Sequence, residues 1–308
     1  MQQQSLPRYV LITPARNEEK FIEKTVESVV GQTCPPVKWV IVNDGSTDST
    51  GAIAERYAAQ HDWIEVVNRP VRKDRNFAAK VNAFNSGRER AKDLMYDIIG
   101  NLDSDVLLGK DHFEFLLGKF QDDPSLGVAG TIFTEEGGYS SGTDSFEGQN
   151  YVSGQCQLFR RECFDEIGGY LANRAGGIDW IAVTTARMKG WKTQSFNERS
   201  FFHNRRLGTA ERGILAASFS YGQKDYYLGG HPLWELFRVL YRMSKRPYVV
   251  DAIALGSGYA SAAMCRGKRP ISDELMAFHR REQMRKLRAI LKSVLTFKPI
   301  NKFTLLSK

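Results

Sequence analysis

The chain has 308 residues, of which 42% are hydrophobic and 25% charged, with a formal net charge of +8. That length suits one large α/β domain with an appended segment, and the composition excludes wholesale disorder and a polytopic membrane protein. The charge is uneven: Arg266 to Lys308 holds twelve Lys/Arg against three Asp/Glu, a net of +9 that leaves everything upstream near −1. Without zinc-finger spacing or an RNP-like aromatic motif, this cationic tail points to a solvated face or an anionic membrane surface, not to nucleic acid.

Taken in chain order, Tyr9–Thr13 is a short β-rich run ending at Pro14, and Phe21, Ile22, Val26, Val29 and Val30 have helical spacing. Lys38–Val42 is a fully apolar strand closed by Asn43-Asp44-Gly45-Ser46-Thr47-Asp48, a turn with a helix cap, and a helix follows over Ser49–Ala59. Ile64–Asn68 reads as a strand, Ala78–Ala91 as a helix and Tyr96–Leu102 as a strand ending at Asp103. Such alternation predicts a mostly parallel sheet flanked by helices. Beyond it come a helix near His112–Phe120, a strand at Gly127–Phe133, a Gly/Ser-rich mobile-loop candidate from Gly137 to Gly154, a strand at Gln155–Arg160, and a loop and helix over Arg174–Gly190.

Further helices are expected at Thr209–Leu228 and Pro232–Tyr241. Tyr248–Cys265 is the most hydrophobic window, but Asp251 and its small residues make it a poor membrane span; it reads as a core or interfacial helix. Leu275–Leu295 is basic, with Leu287, Ile290, Leu291, Val294 and Leu295 at helical spacing, which suits a membrane-surface helix or a helix packed on its own domain. The N-terminal apolar run is too short for a secretory segment. Cys34, Cys156, Cys163 and Cys265 form no CxxC pair and predict free thiols, hence a cytoplasmic location, peripheral on the cytoplasmic membrane face if the tail binds lipid.

Ligands of an α/β sheet of this kind bind outside the carboxyl ends of its strands, and the polar segments fall there. Asp103 and Asp105 flank Ser104 at such an end, and alternate residues of an extended segment share a side. Two crowded carboxylates invite a hard divalent cation that keeps positions open for a diphosphate. No P-loop and no GxGxxG occurs, so phosphate must be held by metal and cations. Asp44 suits a base N–H or a ribose hydroxyl, or a helix cap. Tyr151 and Trp234 could stack on sugar rings, but aromatics at such positions more often belong to a core.

The combination TPARNEEKFIEKTVESVVGQT, VIVNDGSTDST, AAKVNAFNSG, NLDSDV, GQCQLFRRECFDEIGGY and GIDWIAVTTARMKGWKT, over about residues 8 to 195, resembles glycosyltransferase family 2, the inverting enzymes of GT-A fold. The resemblance implies a catalytic domain over residues 1–205, a helical basic extension over 206–308, and a nucleotide-diphosphate sugar donor, usually a uridine one. It places the nucleotide at Thr13, Pro14, Ala15, Asn17, Glu18 and Asp44, the donor phosphates near Lys80 and Asn85, and the donor and metal (Mn²⁺ or Mg²⁺) at Asp103, Ser104 and Asp105. Gly168 and Gly169 would form the turn before an acceptor pocket that includes Trp180.

The family's catalytic base is the Asp of a Glu-Asp pair, eleven residues before a Gly that precedes an aromatic. Asp179 fits through Gly190 and Trp191, while Ile178 stands where the Glu is usual and Trp180 follows. His203 matches a His that completes the metal or diphosphate site in many related chains, or is a core imidazole. Arg205 and Arg206 are a diphosphate clamp or ordinary surface charges. The C-terminal segments resemble bacterial transferases of cell-surface polysaccharide assembly, which implies a saccharide or lipid-linked acceptor. The competing functions are an inactive nucleotide-sugar-binding protein and, disfavoured by the lack of glycine in Thr13–Glu19, a sugar nucleotidyltransferase.

Overall fold

The computed structural model describes residues 5–71, 77–144, 148–173, 176–205, 213–244 and 248–297. It divides into two compact units, residues 1–174 with 178–204, and residues 175–177 with 205–308.

The first unit is one eight-stranded sheet with helices on both faces. Strands β1 (Tyr9–Ala15), β2 (Lys38–Asn43), β3 (Ile64–Asn68) and β4 (Ile98–Leu102) alternate with helices α1 (Ile22–Val30), α2 (Thr50–Ala58) and α3 (Phe77–Arg90). Next come β5 (Val106–Leu107), α4 (His112–Asp122), β6 (Leu126–Glu135), the short α5 (Ser141–Asp144), β7 (Cys156–Arg160), α6 (Arg161–Glu166), α7 (Ile178–Met188) and β8 (Lys192–His203). The strand order is β3-β2-β1-β4-β7-β6-β8-β5. Strands β1 to β4 pair in parallel, as the alternation predicts. Beyond them β7 is antiparallel to both neighbours, β8 is parallel to β6, and β5 is antiparallel to β8, so the sheet is mixed.

Side chains alternate across each strand. Leu11, Trp39 and Ile41 join the core that α1, α2 and α4 cover, while Val10, Ile12, Val40 and Val42 join the core under α3, α6 and α7. Double-sided burial explains why these strands read as continuous apolar runs.

Two expectations change. No strand is expected from the sequence after Gly190, whereas β8 runs twelve residues there. Its register against β6 slips from Thr131↔Phe196 to Ile132↔Ser200, and this irregularity breaks the period-two pattern that would have announced it. The Gly137–Gly154 stretch also holds structure, with a bridge between Thr134 and Ser140 and the helical turn α5; its residues 145–147 lie outside the described set.

The second unit is helical: α8 (Ile214–Tyr227), α9 (Pro232–Arg242), α10 (Val249–Met264) and α11 (Asp273–Leu295). Helices α8 and α10 touch backbone to backbone, because a Cβ on Gly222 would collide with the Leu255 carbonyl oxygen and one on Gly258 with that of Phe219. No helix among the described residues is long and apolar enough to cross a membrane. The apolar stripe expected on α11 is divided: Leu287 and Ile290 are buried, while Leu291, Val294 and Leu295 are exposed.

Candidate active site

Two loops at the carboxyl ends of β1 and β2 are laced together. The Asn17 amide donates to Ser46 Oγ (3.1 Å), Asn17 Oδ1 accepts from the Thr47 amide (2.9 Å), and the Glu18 amide donates to Thr50 Oγ1 (2.7 Å). The Glu19 amide donates to Asp48 Oδ2 and the Ser49 amide donates back to Glu19 Oε2 across the same gap. Asn17 holds a φ of 55°, a left-handed conformation that Asn tolerates better than most residues. The lacing fixes a rim beside Asp44, whose amide donates to the Ala15 carbonyl (2.8 Å).

Thr13, Pro14 and Ala15, expected beside the nucleotide, are the last residues of β1, which runs two residues past the Thr13 that the β-rich run predicts. Thr13 is buried and its hydroxyl accepts from Trp39 Nε1 (2.9 Å), so that side chain faces the core rather than a ligand. The Asp44 carboxylate pairs with Arg69 Nη1 (2.7 Å), a partner the sequence reading missed. Arg69 directly follows β3, and Asn43↔Asn68 is the register pair between β2 and β3, so strand adjacency could have found it.

At the end of β4 the acids converge. Asp103 Oδ1 accepts from Lys80 Nζ of α3 at 2.5 Å. Burial alone would lower the Lys80 pKa, but Asp103, then Asp179 and Asp105, outweigh it and hold the ammonium above its ordinary value. Burial, opposed by Lys80 and reinforced by Asp105, lifts the Asp103 carboxyl above the usual carboxylate range. Lys80 therefore stands in the field of three carboxylates. Ser104 is buried, and its carbonyl accepts from Thr25 Oγ1 (2.9 Å), which anchors the Asp103-Ser104-Asp105 turn to α1. Asn85 does not join: it is exposed and lies about 140° around α3 from Lys80.

Asp105 faces His203, with Oδ2 3.5 Å from Nε2, and His203 Nδ1 lies 3.0 Å from Glu135 Oε1. All three are buried. Strand register makes this meeting, because His203 is paired with Glu135 of β6 on one side and Val106 of β5 on the other. Burial would lower the His203 pKa, but Asp105, then Glu135 and Asp103, raise it above the ordinary value. Glu135 was not foreseen, since only the unrecognised β8 brings it into contact.

Asp179 stands in the first turn of α7. Tyr151 Oη donates to its Oδ2 at 2.6 Å, so Tyr151, set aside above as a core aromatic, is a partner of this carboxylate. Gly154 backs the same side chain: a Cβ there would lie 2.7 Å from Asp179 Cβ. Asn101 Nδ2 donates to the Gly154 carbonyl (2.6 Å) and to Asp103 Oδ1 (3.2 Å), joining the Asp103 and Asp179 neighbourhoods through one amide.

Gly168 and Gly169 both have positive φ, 77° and 74°, and turn the chain after α6 into Tyr170. Tyr170 is buried and donates to Gln157 Oε1 (2.7 Å); burial, then Asp179 and Asp103, raise its pKa. Ile178 is an ordinary member of the core, and Trp180, expected in the acceptor pocket, is buried. Trp234 is buried on α9. Arg205 opens the second unit, and Arg206 lies outside the described residues.

Residues 10–171 match the sequence profile of Glycosyl transferase family 2, just over half of the chain. The chain belongs to this family. It is 26% identical over 212 residues to a poly-beta-1,6-N-acetyl-D-glucosamine synthase of Staphylococcus epidermidis, covering 62% of this chain and 47% of that one. It is 28% identical over 215 residues to the glycosyltransferase GlyG of Streptococcus pneumoniae serotype 4, covering 68% and 65%. It thus spans less than two thirds of either relative. Among solved structures, the mannosyltransferase PcManGT of Pyrobaculum calidifontis, in complex with GDP-Man and Mn²⁺, aligns with a TM-score of 0.55 at 20% identity, over 97% of this chain and 85% of that one. S. aureus TarS 1–349 in complex with UDP-GlcNAc aligns with a TM-score of 0.58 at 14% identity, over 97% and 90%. These likenesses identify the fold as GT-A.

Proposed function

We propose that the chain transfers a sugar from a uridine-diphosphate sugar to a hydroxyl of a saccharide or lipid-linked saccharide, by a single displacement that inverts the anomeric carbon. One observation carries this reading: at the carboxyl end of β4 Asp103 meets Lys80, Asn101 links it to Gly154 against Asp179, and Asp105 faces His203. The GDP-Man and UDP-GlcNAc complexes of two chains with the same fold support a nucleotide-sugar donor. The laced rim of Asn17, Glu18 and Asp44 would receive the nucleoside.

In the transfer, Asp179 takes the proton of the attacking hydroxyl as the new C–O bond forms and the bond to the diphosphate breaks. The Tyr151 hydroxyl would aim the Asp179 oxygen and favour its ionised form. Lys80 would neutralise charge developing on the departing diphosphate.

The buried Asp105 carboxylate and the His203 imidazole, with Asp103 beside them, are oxygen and nitrogen donors that fit Mn²⁺ or Mg²⁺, and the Mn²⁺ complex of PcManGT supports such a role. Among the described residues no group of three His, Cys, Asp or Glu side chains is arranged to hold a metal ion, so the protein's own donors to it would be Asp105 and His203 with Asp103. When bound, the ion supplies Lewis-acid stabilisation of the leaving group. Glu135, holding His203 Nδ1, would leave Nε2 to face Asp105. The basic segment 206–308 would rest on an anionic membrane surface at the cytoplasmic face.

The test is calorimetric titration of UDP-, GDP- and dTDP-sugars with and without Mn²⁺, followed by NMR of the product anomer. Manganese-linked uptake of a uridine donor and an inverted product are expected. No uptake of any sugar nucleotide would overturn the reading.

A further inference from the structure

Helix α9 is turned inside out. Its charged side chains point inward: Glu235 is buried, Arg238 pairs with Asp225 of α8, and Arg242 pairs with the buried Asp251 of α10, which also accepts from Ser218. Its outer side is apolar. Pro232, Leu233, Leu236, Leu240 and Met243 are exposed and fall within an arc of about 100° at the helical repeat. The leucines are 53–58% exposed. The Arg242–Asp251 pair and the approach of Val239 to Gly256 make α10 antiparallel to α9. The first turns of α10, with Val249, Val250 and Ile253 exposed, therefore adjoin the end of α9 that carries Leu240 and Met243. A contiguous apolar surface of this kind marks an interaction face.

Charge selects the occupant. Residues 205–308 hold twenty Lys/Arg against seven Asp/Glu, a net of +13. On α11, Arg281, Arg285, Arg288 and Lys292 are exposed and lie within an arc of about 60°. A second copy would meet this face with the same strongly positive charge. A bilayer of anionic lipids offers acyl chains to the stripe and opposite charge to the rest. With no helix among the described residues able to cross, such a face lies in the interface plane.

We propose that the outer stripe of α9 and the first turns of α10 insert into the headgroup boundary of an anionic bilayer. This rests on the membrane reading of the C-terminal segment and moves the apolar contact from the tail to α9. Flotation of the full chain with phosphatidylglycerol-containing vesicles, and with phosphatidylcholine alone, tests it. The chain should float with the anionic vesicles only. A Leu236→Ser/Leu240→Ser variant should lose about tenfold in partitioning at unchanged donor turnover and unfolding midpoint. A Leu240→Trp variant should show a blue shift in emission on vesicle addition beyond that of the unmodified chain. If the serine variant floats equally well and the tryptophan reports no shift, the α9 assignment falls while the membrane reading stands. If the unmodified chain floats with neither vesicle, both fall. A dimer in sedimentation equilibrium that the serine variant dissolves would show a second copy on this face and overturn the proposal.

Discussion

Residues 1–204 hold twenty-three Lys/Arg against twenty-eight Asp/Glu, a net of −5, whereas residues 205–308 carry +13. In the first unit the acids Asp103, Asp105 and Glu135 are drawn to the carboxyl ends of the strands, close to Lys80 and His203. In the second, ion pairs such as Arg242–Asp251 lie between helices, and the outer side of α9 is hydrocarbon. On the proposed readings, charge concentrated at strand ends builds a site for reaction, and charge withdrawn between helices frees a surface for contact. Substitutions in the two units should therefore fail in different assays.

The largest separation is expected at Asp179. Asp179→Asn should lower transfer about a thousandfold, equivalent to about 4 kcal/mol of barrier, at unchanged vesicle binding and donor affinity. Comparison of kcat with donor titration and flotation checks it, and normal turnover would remove Asp179 as the base.

Next come opposite responses to acid. Burial depresses the His112 pKa to about 4, so the folded first unit favours the neutral ring. Its contribution is complete above the ordinary value of 6.5 and is lost as pH falls toward 4, about 3 kcal/mol in all. Urea unfolding across that range should show the slope, and His112→Leu should remove it. Glu235 behaves in reverse. Burial raises its carboxyl from 4.5 to about 7, so the folded second unit favours the neutral acid, with stability full below 4.5 and declining as pH rises to about 7. Hydrogen exchange of α9, corrected for intrinsic rates, should quicken over that rise, and Glu235→Gln should flatten the response.

The smallest effect is at Tyr151. Tyr151→Phe should cost about tenfold in kcat, about 1.4 kcal/mol, and move the acidic limb of the pH–rate profile upward, because the ionised Asp179 loses a donor. A lower rate with an unmoved limb would leave Tyr151 a packing residue.

The comparison also tells which parts of the molecule could be read beforehand. The parallel half of the sheet was legible because Val10, Ile12, Val40 and Val42 are buried on one face while Leu11 and Ile41 are buried on the other, and the Asp103–Asp105 pair was legible because it closes such a strand. The contacts of Arg69, Glu135 and Tyr151 were not. Each depends on register or loop closure over 25, 68 or 28 residues, which no local pattern encodes. The outward face of α9 escaped for a related reason. Periodicity shows that a helix has two sides, but which one turns inward was decided by Asp225 and Asp251, acids on other helices.

The side chain of Asn101 gives one amide group to both halves of the proposed reaction centre, reaching the Gly154 carbonyl behind Asp179 and the oxygen of Asp103 that also meets Lys80. Under the proposed mechanism the leaving-group end and the nucleophile end are consequently not independent modules. A change that reshapes the Asp103 neighbourhood for one sugar nucleotide should then displace Asp179, the proposed proton acceptor, as well, so a shift in donor preference should bring altered acceptor preference with it.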